Sequence, residues 1–425
     1  MPEVDEKSRF DGIELHALAA TLPTPFHVYS ANAIRQRISG LQKALHGLDA
    51  TICFAVKANS SLAILQLMAE SGVGADIVSS GELKRSLLAG IPASRIVFSG
   101  VGKTEAEMAE ALDAGVGRFN VESLDELESL QRVASERKVV ARAAVRINPD
   151  VDARTHQKIS TGKSDNKFGV GIDEARRWFS RNAAFPNVRL DGLHVHIGSQ
   201  ILDLEPFRQA LARVARFWRE LAAAGHEIAS IDVGGGLGVV YRAGHDRAID
   251  PGEYVRTVRE ALAGFGGRIV LEPGRYLVAE AGLLLTRVIR TKRGESRDFL
   301  IVDVAMNDLM RPSLYEAWHD IELIGAVLEE EGTQRPRTTY DVVGPVCETG
   351  DTFALGRVLP ECRAGDLLAI RCTGAYGASM SSTYNSRPLI AEILVDEGRY
   401  AVIRRRQSFE EMIAGEQAAT SWRNA

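Results

Sequence analysis

The chain carries only four cysteines in 425 residues, and no two of them form a C-x-x-C pair. Cys53, Cys347, Cys362 and Cys372 therefore suggest neither a zinc site nor a disulfide framework. Net charge is only −5 and there is no basic block, so nothing electrostatic points to nucleic acid or to a membrane surface. The segment Met1-Pro2-Glu3-Val4-Asp5-Glu6-Lys7 lacks the apolar core of a secretion signal, and no apolar run is long enough to span a bilayer. The expected address is the cytoplasm. Low-complexity segments are missing, and the only repeat is an alternation of strand and helix. What is present is 45% hydrophobic and 25% charged residues, a globular composition whose length suits two domains.

Short β-prone runs separated by helical stretches predict strands at Ile52–Val56, Ala75–Ser79, Arg95–Ser99, Arg118–Val121, Arg142–Ile147, Leu193–Ile197, Ser230–Val233 and Arg268–Leu271. About eight such units in series make the (β/α)8 pattern of a TIM-type barrel, an α/β fold. Thr104-x-x-Glu107 and Ser123-x-x-Glu126 read as capping boxes. Leu124, Leu127, Leu130 and Val133 form an apolar stripe, and Gly90 and Gly115 read as helix ends. Beyond Arg275 the rhythm becomes mostly β, with strands at Phe299–Asp303, Tyr340–Val343, Asp366–Ile370 and Leu389–Val395 and a hairpin over Asp396–Tyr400. The division expected is a barrel over 31–275 and a sandwich- or barrel-like β domain from 1–30 plus 276–425, to which Phe26-His27-Val28-Tyr29 adds a strand.

The strand exits carry unusual chemistry. They supply Lys57, Ser79-Ser80-Gly81-Glu82, Asn120 and Glu122, Arg146, His196 and Ser199, Gly234-Gly235-Gly236, and Glu272-Pro273-Gly274-Arg275. Strand exits are turn-rich in any protein, but amines, imidazoles, carboxylates and guanidiniums gathered at the active rim of a barrel exceed what turns require. The connection from Asn148 to Gly169 is long enough to be a lid or an interface element.

Lys57 closes an apolar run, Ile52-Cys53-Phe54-Ala55-Val56. An amine delivered there, if desolvated, loses its proton easily and can form a Schiff base. Should Lys57 carry pyridoxal phosphate (PLP), Glu272 would keep the ring nitrogen protonated and strengthen the electron sink, as decarboxylation needs. Otherwise Glu272 merely caps its turn. Gly234–Gly236 offers backbone N–H groups to an anion, with Ser199 adding a hydroxyl. His194 and His196 share a strand face. They suit a metal site as in barrel hydrolases, a ring stacked on an aromatic cofactor, or plain packing. Further metal ligands are not evident on other strand ends. Cys347 is either structural or a proton donor. Arg311 with Tyr315 fits a carboxylate clamp, or else Arg311 is a surface ion pair. Tyr376, in Gly374-Ala375-Tyr376-Gly377, implies a close approach to the backbone.

These pieces resemble the PLP-dependent decarboxylases built on an alanine-racemase-type barrel. The resemblance rests on Phe54-Ala55-Val56-Lys57-Ala58-Asn59, His196-Ile197-Gly198-Ser199, Gly234-Gly235-Gly236, Glu272-Pro273-Gly274-Arg275, Met310-Arg311-Pro312, Cys347-Glu348-Thr349-Gly350-Asp351 and Gly374-Ala375-Tyr376-Gly377. It runs in order from about Pro25 to Met412, and the Arg311/Tyr315 and Cys347-Glu348 pieces are closest to the bacterial diaminopimelate decarboxylases. It implies conversion of meso-2,6-diaminopimelate to L-lysine and CO2, the last step of bacterial lysine biosynthesis. Lys57, Cys347, Glu272 and His196 would be catalytic, Cys347 returning a proton to Cα. Lys57, Asp76, His196, Ser199, Gly235, Gly236, Glu272, Pro273, Gly274, Arg275 and Tyr376 would bind PLP. Arg275, Arg311, Tyr315, Glu348 and Tyr376 would bind the amino-acid substrate. No metal is implied, and a homodimer with shared active sites is. The alternatives are a same-fold decarboxylase of another amino acid (ornithine, lysine or carboxynorspermidine type), a non-catalytic PLP-binding homologue and, distantly, a metal-dependent barrel hydrolase.

Overall fold

The computed structural model describes residues 8–153, 155–159, 161–162, 166–325, 335–419 and 422. Of the long connection read as a lid or an interface element, Arg154, Ser160 and Lys163–Asp165 lie outside the described residues. Two compact units are present: Ser30–Gly282 with Gly374–Ser379, and Met1–Tyr29 with Leu283–Thr373 and Met380–Ala425. The short piece around Tyr376 thus groups with the first unit, although it lies far along the chain.

The first unit is a closed barrel of eight parallel strands. In chain order they are β1 (Ala50–Ala55), β2 (Gly74–Ile77), β3 (Ile96–Phe98), β4 (Arg118–Val121), β5 (Ala141–Arg146), β6 (Val188–His194), β7 (Ser230–Asp232) and β8 (Arg268–Leu271). Strands buried on both faces are expected to be apolar nearly throughout, and Ile-Cys-Phe-Ala in β1 and Ile-Val-Phe in β3 follow that rule. β6 corrects the reading of Leu193–Ile197: the strand starts five residues earlier. Asp191-Gly192 resembles a turn, but the glycine serves another purpose, because a Cβ there would run into the Arg118 guanidinium.

Helix starts follow the sequence with one exception. Thr104 and Glu107 form a full capping box. At Ser123 only half forms: the hydroxyl accepts from Glu126 N–H, while the Glu126 carboxylate accepts instead from the backbone N–H of Glu122 (2.9 Å) and from Lys103 (2.6 Å). Gly115 closes its helix with φ +78°, and Leu127, Leu130 and Val133 of the stripe are buried.

The second unit is built on a nine-stranded sheet that includes Phe26–Ser30 between Gly282–Arg293 and Ala391–Asp396. Gly282–Arg293 and Leu367–Arg371 alternate between two cores. Leu284, Leu368 and Ile370 pack into one cluster, and Leu283, Leu285, Leu367 and Ala369 into the other. Period-two alternation with both faces covered explains the unbroken Leu283-Leu284-Leu285 run. Each such side chain contributes about 1.5–3 kcal/mol on burial. The strands Ile321–Ile324 and Thr352–Pro360 were not anticipated. The Asp396–Tyr400 hairpin forms with Glu397 and Gly398 both at positive φ.

Candidate active site

The barrel closes its strand exits around one cavity lined by Ala55, Lys57, His196, Ser199, Gly236, Leu237, Glu272, Gly274, Arg275 and Tyr376. Lys57 follows β1 on a short 3-10 turn, Val56–Ala58, and also borders a cleft of about 310 Å3 that runs past Ser79, Glu82 and Arg85.

Its Nζ lies 2.6 Å from Asp76 Oδ2. Burial pushes the amine's pKa down, but Asp76, Tyr376 and Glu272 outweigh it, and the group is held above the ordinary lysine value. This overturns the expectation that desolvation alone leaves Lys57 readily neutral. Asp76 is fully buried on the neighbouring strand β2, and its own carboxyl is pushed up by burial and by Glu272, against the pull of Lys57.

Glu272 is the centre of a buried polar knot. Oε1 accepts from Asn120 Nδ2 (3.1 Å) and Ser99 Oγ (3.3 Å), and Oε2 lies 3.1 Å from His194 Nε2. Burial alone would raise its pKa, yet His194 and Lys57 reverse that and hold the carboxyl well below its usual range. Asp232, one strand away, goes the other way: burial and then the Glu272 charge push it well up. Two acids in one site are thus shifted in opposite directions.

His194, Asp232 and Glu272 each bring a ligand atom within 4.8 Å of the others. Further metal-ligand types, not evident from the sequence on other strand ends, are thus brought to His194 by the fold. His194 is weighed in the sequence as a metal ligand, a stacked ring or packing, and Asn120 as a rim residue, but their place around Glu272, with that of Asp232 and Ser99, is not read there. The period-two spacing of His194 and His196 was the available signal for His194.

His196 presents a neutral ring. Burial, with the charges of Arg146 and Lys57, lowers its pKa to about 3, and Nδ1 accepts from the Gly235 N–H (3.1 Å). Gly234 N–H donates to Asp232 Oδ1 (2.9 Å). Two of the three glycine amides are therefore committed within the protein, and the glycine run is only in part an anion cradle. The turn itself requires glycine, since Gly234 and Gly236 have φ +69° and +109°.

Arg275 begins a short helix after Pro273-Gly274. Pro273 C=O accepts from Ala55 N–H at 3.2 Å, and Gly274 fits where a Cβ would crowd Ala55 and Ala58. The guanidinium donates to Ser199 Oγ (3.2 and 3.0 Å) and to the Tyr241 hydroxyl (2.5 Å). It also stacks 4.9 Å from the Tyr376 ring. What approaches the Gly374–Gly377 backbone is the barrel itself: Asn59 Nδ2 donates to Gly374 C=O (3.0 Å), and Gly374 N–H to Ala279 C=O (3.1 Å).

The remaining predicted residues lie in the β unit. Arg311 is buried, which removes the surface-ion-pair reading, and its Nη1 donates to His319 Nε2 (2.8 Å) while His319 Nδ1 donates to Arg371 C=O (2.8 Å). The helix Arg311–Tyr315 is tied to the turn carrying Cys347 and Glu348 through Ser313 Oγ, which donates to Gly350 C=O (2.6 Å). Cys347 is exposed, and its N–H donates to Asn385 Oδ1 (3.3 Å).

An eight-stranded parallel barrel with a lysine–carboxylate pair, a buried glutamate and a histidine at its strand exits fits a pyridoxal-phosphate-type site. Residues 31–279 match the pyridoxal binding domain of the pyridoxal-dependent decarboxylases. The chain is 46% identical to the diaminopimelate decarboxylase of Zymomonas mobilis and 48% identical to that of Pseudomonas aeruginosa, each alignment covering 96% of both proteins. The crystal structure of diaminopimelate decarboxylase from Helicobacter pylori complexed with L-lysine superposes with a TM-score of 0.90 at 43% identity, covering 95% of this chain and 99% of that one. This chain belongs to the diaminopimelate decarboxylase family of the pyridoxal-dependent decarboxylases. No helix among the described residues is long and apolar enough to cross a membrane.

Proposed function

We propose that this chain decarboxylates meso-2,6-diaminopimelate to L-lysine and CO2 with PLP as cofactor. The carrying observation is Glu272, a buried carboxylate held ionised by His194 in the same cavity as Lys57. The residues fit the cofactor: an amine for its aldehyde, a carboxylate for its ring nitrogen, a neutral ring for its face, and Arg275, Ser199, Gly236 and Tyr376 for its phosphate. Bound PLP supplies an electron sink for the charge left at Cα when CO2 departs.

The chain's own groups do the rest. Glu272, by holding negative charge, would keep a proton on the ring nitrogen of a bound cofactor. Asp76 controls the proton on Lys57, because the amine becomes a nucleophile only once that contact opens. His196, uncharged, would face the cofactor ring without competing for the proton on the ring nitrogen. Residues 31–275 would carry the cofactor, and residues 1–30 with 276–425 the substrate's far end. There Arg311, Tyr315 and Glu348 would grip the distal amino-acid group together with Arg275 and Tyr376. Cys347 would protonate Cα across the interface of a homodimer with shared active sites, its exposure leaving the thiol accessible to a partner subunit. A cytoplasmic address accords with a small-molecule biosynthetic role.

Specificity follows from Arg311. A buried guanidinium left without its carboxylate costs several kcal/mol, so L-ornithine and L-lysine should be poor substrates. The test is CO2 and L-lysine release from meso-diaminopimelate, with Lys57→Ala as control. Faster turnover of L-ornithine or L-lysine would overturn the assignment.

A further inference from the structure

The barrel has a second opening at the pole opposite Lys57, where its strands begin. A cavity of about 790 Å3 there is bordered by Asp49, Arg95, Arg118, Arg142, Ser230 and Arg268, all at or just before strand N-termini. That face of a barrel ordinarily serves stability alone, and a purely structural mouth would match its charges. This one does not. Five guanidiniums at this end, those of Arg95, Arg118, Arg142, Arg189 and Arg268, stand against three carboxylates, those of Asp49, Asp191 and Glu227, which lies 3.6 Å from Arg189. Asp49 bonds Arg268 (3.1 Å). Asp191, with a side chain only 4% exposed, takes Arg118 (2.9 Å) and Arg142 (3.2 Å), and also Arg189 (3.0 Å).

A second, independent observation points the same way. Ser230 is 4% exposed, borders the cavity, and its Oγ has no hydrogen-bond partner among the described residues. A buried hydroxyl left unmatched is destabilising unless something meets it. Gly192 keeps this region open, since a Cβ there would strike the Arg118 guanidinium and press on Ser230 Oγ at 3.1 Å. Excess guanidinium plus an unmatched hydroxyl is a recognition set for oxyanions. The volume falls in the range of small-molecule pockets and exceeds what a bare inorganic ion fills.

We propose that the N-terminal mouth of the barrel binds a small organic oxyanion of two or more negative charges, held by Arg118, Arg142, Arg268 and Ser230. Phosphate monoesters and polycarboxylates share that chemistry, and the test separates them. PLP-saturated, borohydride-reduced enzyme, whose cofactor site is filled, is titrated calorimetrically with glycerol 3-phosphate and with citrate at fixed ionic strength in chloride buffer. Saturable binding at one site per chain is expected for at least one probe, and the probe that binds identifies the source. Arg142→Gln/Arg268→Gln, which changes two exposed arginines, should weaken that binding about tenfold or more. Ser230→Ala should weaken it several-fold while retaining the near-UV circular dichroism of the parent. Absence of saturable binding by either probe up to about 10 mM, or unchanged affinity in both variants, overturns the proposal.

Discussion

An ammonium 2.6 Å from a buried carboxylate is a poor nucleophile until that contact opens. Removing the carboxylate should therefore help the amine lose its proton. In Asp76→Asn the burial that lowers the Lys57 pKa acts with one fewer opposing charge. The pH midpoint for PLP capture by the apoenzyme, followed by absorbance, should then move to lower pH, and a midpoint that stays or rises contradicts this reading of the pair. Glu272→Gln keeps the shape and loses the charge. The expected outcome is a fall in kcat of about 100-fold, with PLP still bound to Lys57 on borohydride trapping. Lys57 and Glu272 were legible because each closes an apolar run with a charged residue. The sign of the Lys57 shift was not, because it depends on an acid from the neighbouring strand that spacing along one strand cannot reveal.

Elements are joined by buried charges as well as by apolar faces. Lys103, with its side chain 1% exposed, lies 2.6 Å from Glu126 and donates to the carbonyls of Gly100 and Asn120, each at 2.7 Å. It thereby ties the loop after β3 to the end of β4 and to the helix that follows. Lys103→Met strands the Glu126 carboxylate and should cost about 3–5 kcal/mol by urea denaturation, and the added change Glu126→Gln should restore much of it. A single-variant loss below about 1 kcal/mol would show the pair to be dispensable. Seven barrel strands could be read nearly in place from apolar runs ending in polar residues. β6 was displaced because Asp191-Gly192 resembles a turn, and the packing of Arg118 that demands this glycine is invisible without the fold. In the second unit, Gly282–Arg293 passed unnoticed because only its first half is buried and its second half is charged and exposed.

At the scale of the molecule, acid sensitivity and assembly can both be forecast. His27 is fully buried in the β unit, and burial, with the charge of Arg404, lowers its pKa from 6.5 to about 3. The unfolded chain takes up a proton near 6.5 while the folded one does not, so this stabilisation is complete above that pH and lost progressively toward 3. Urea midpoints should fall between pH 7 and pH 5, and His27→Phe should flatten the slope. A parent midpoint that does not change over this interval would count against it. If active sites are shared between subunits, mixing Lys57→Ala with Cys347→Ala chains under exchange should recover about a quarter of the wild-type rate, since half the sites in mixed dimers are intact. No recovery, or full activity of a sedimenting monomer, argues against sharing.

The closed cylinder of strands also has a consequence for charge at a distance. Asp76, Asp232 and Glu272 cluster near one end of its packed, fully buried interior, and the Arg118 guanidinium enters from the other. Buried charges are screened by salt much less than exposed ones, so the potential gradient along this axis depends only weakly on ionic strength. An anion captured at the arginine end would weaken that gradient and nudge the proton equilibria of the acids at the far end, giving the barrel a wire-free line between its two faces.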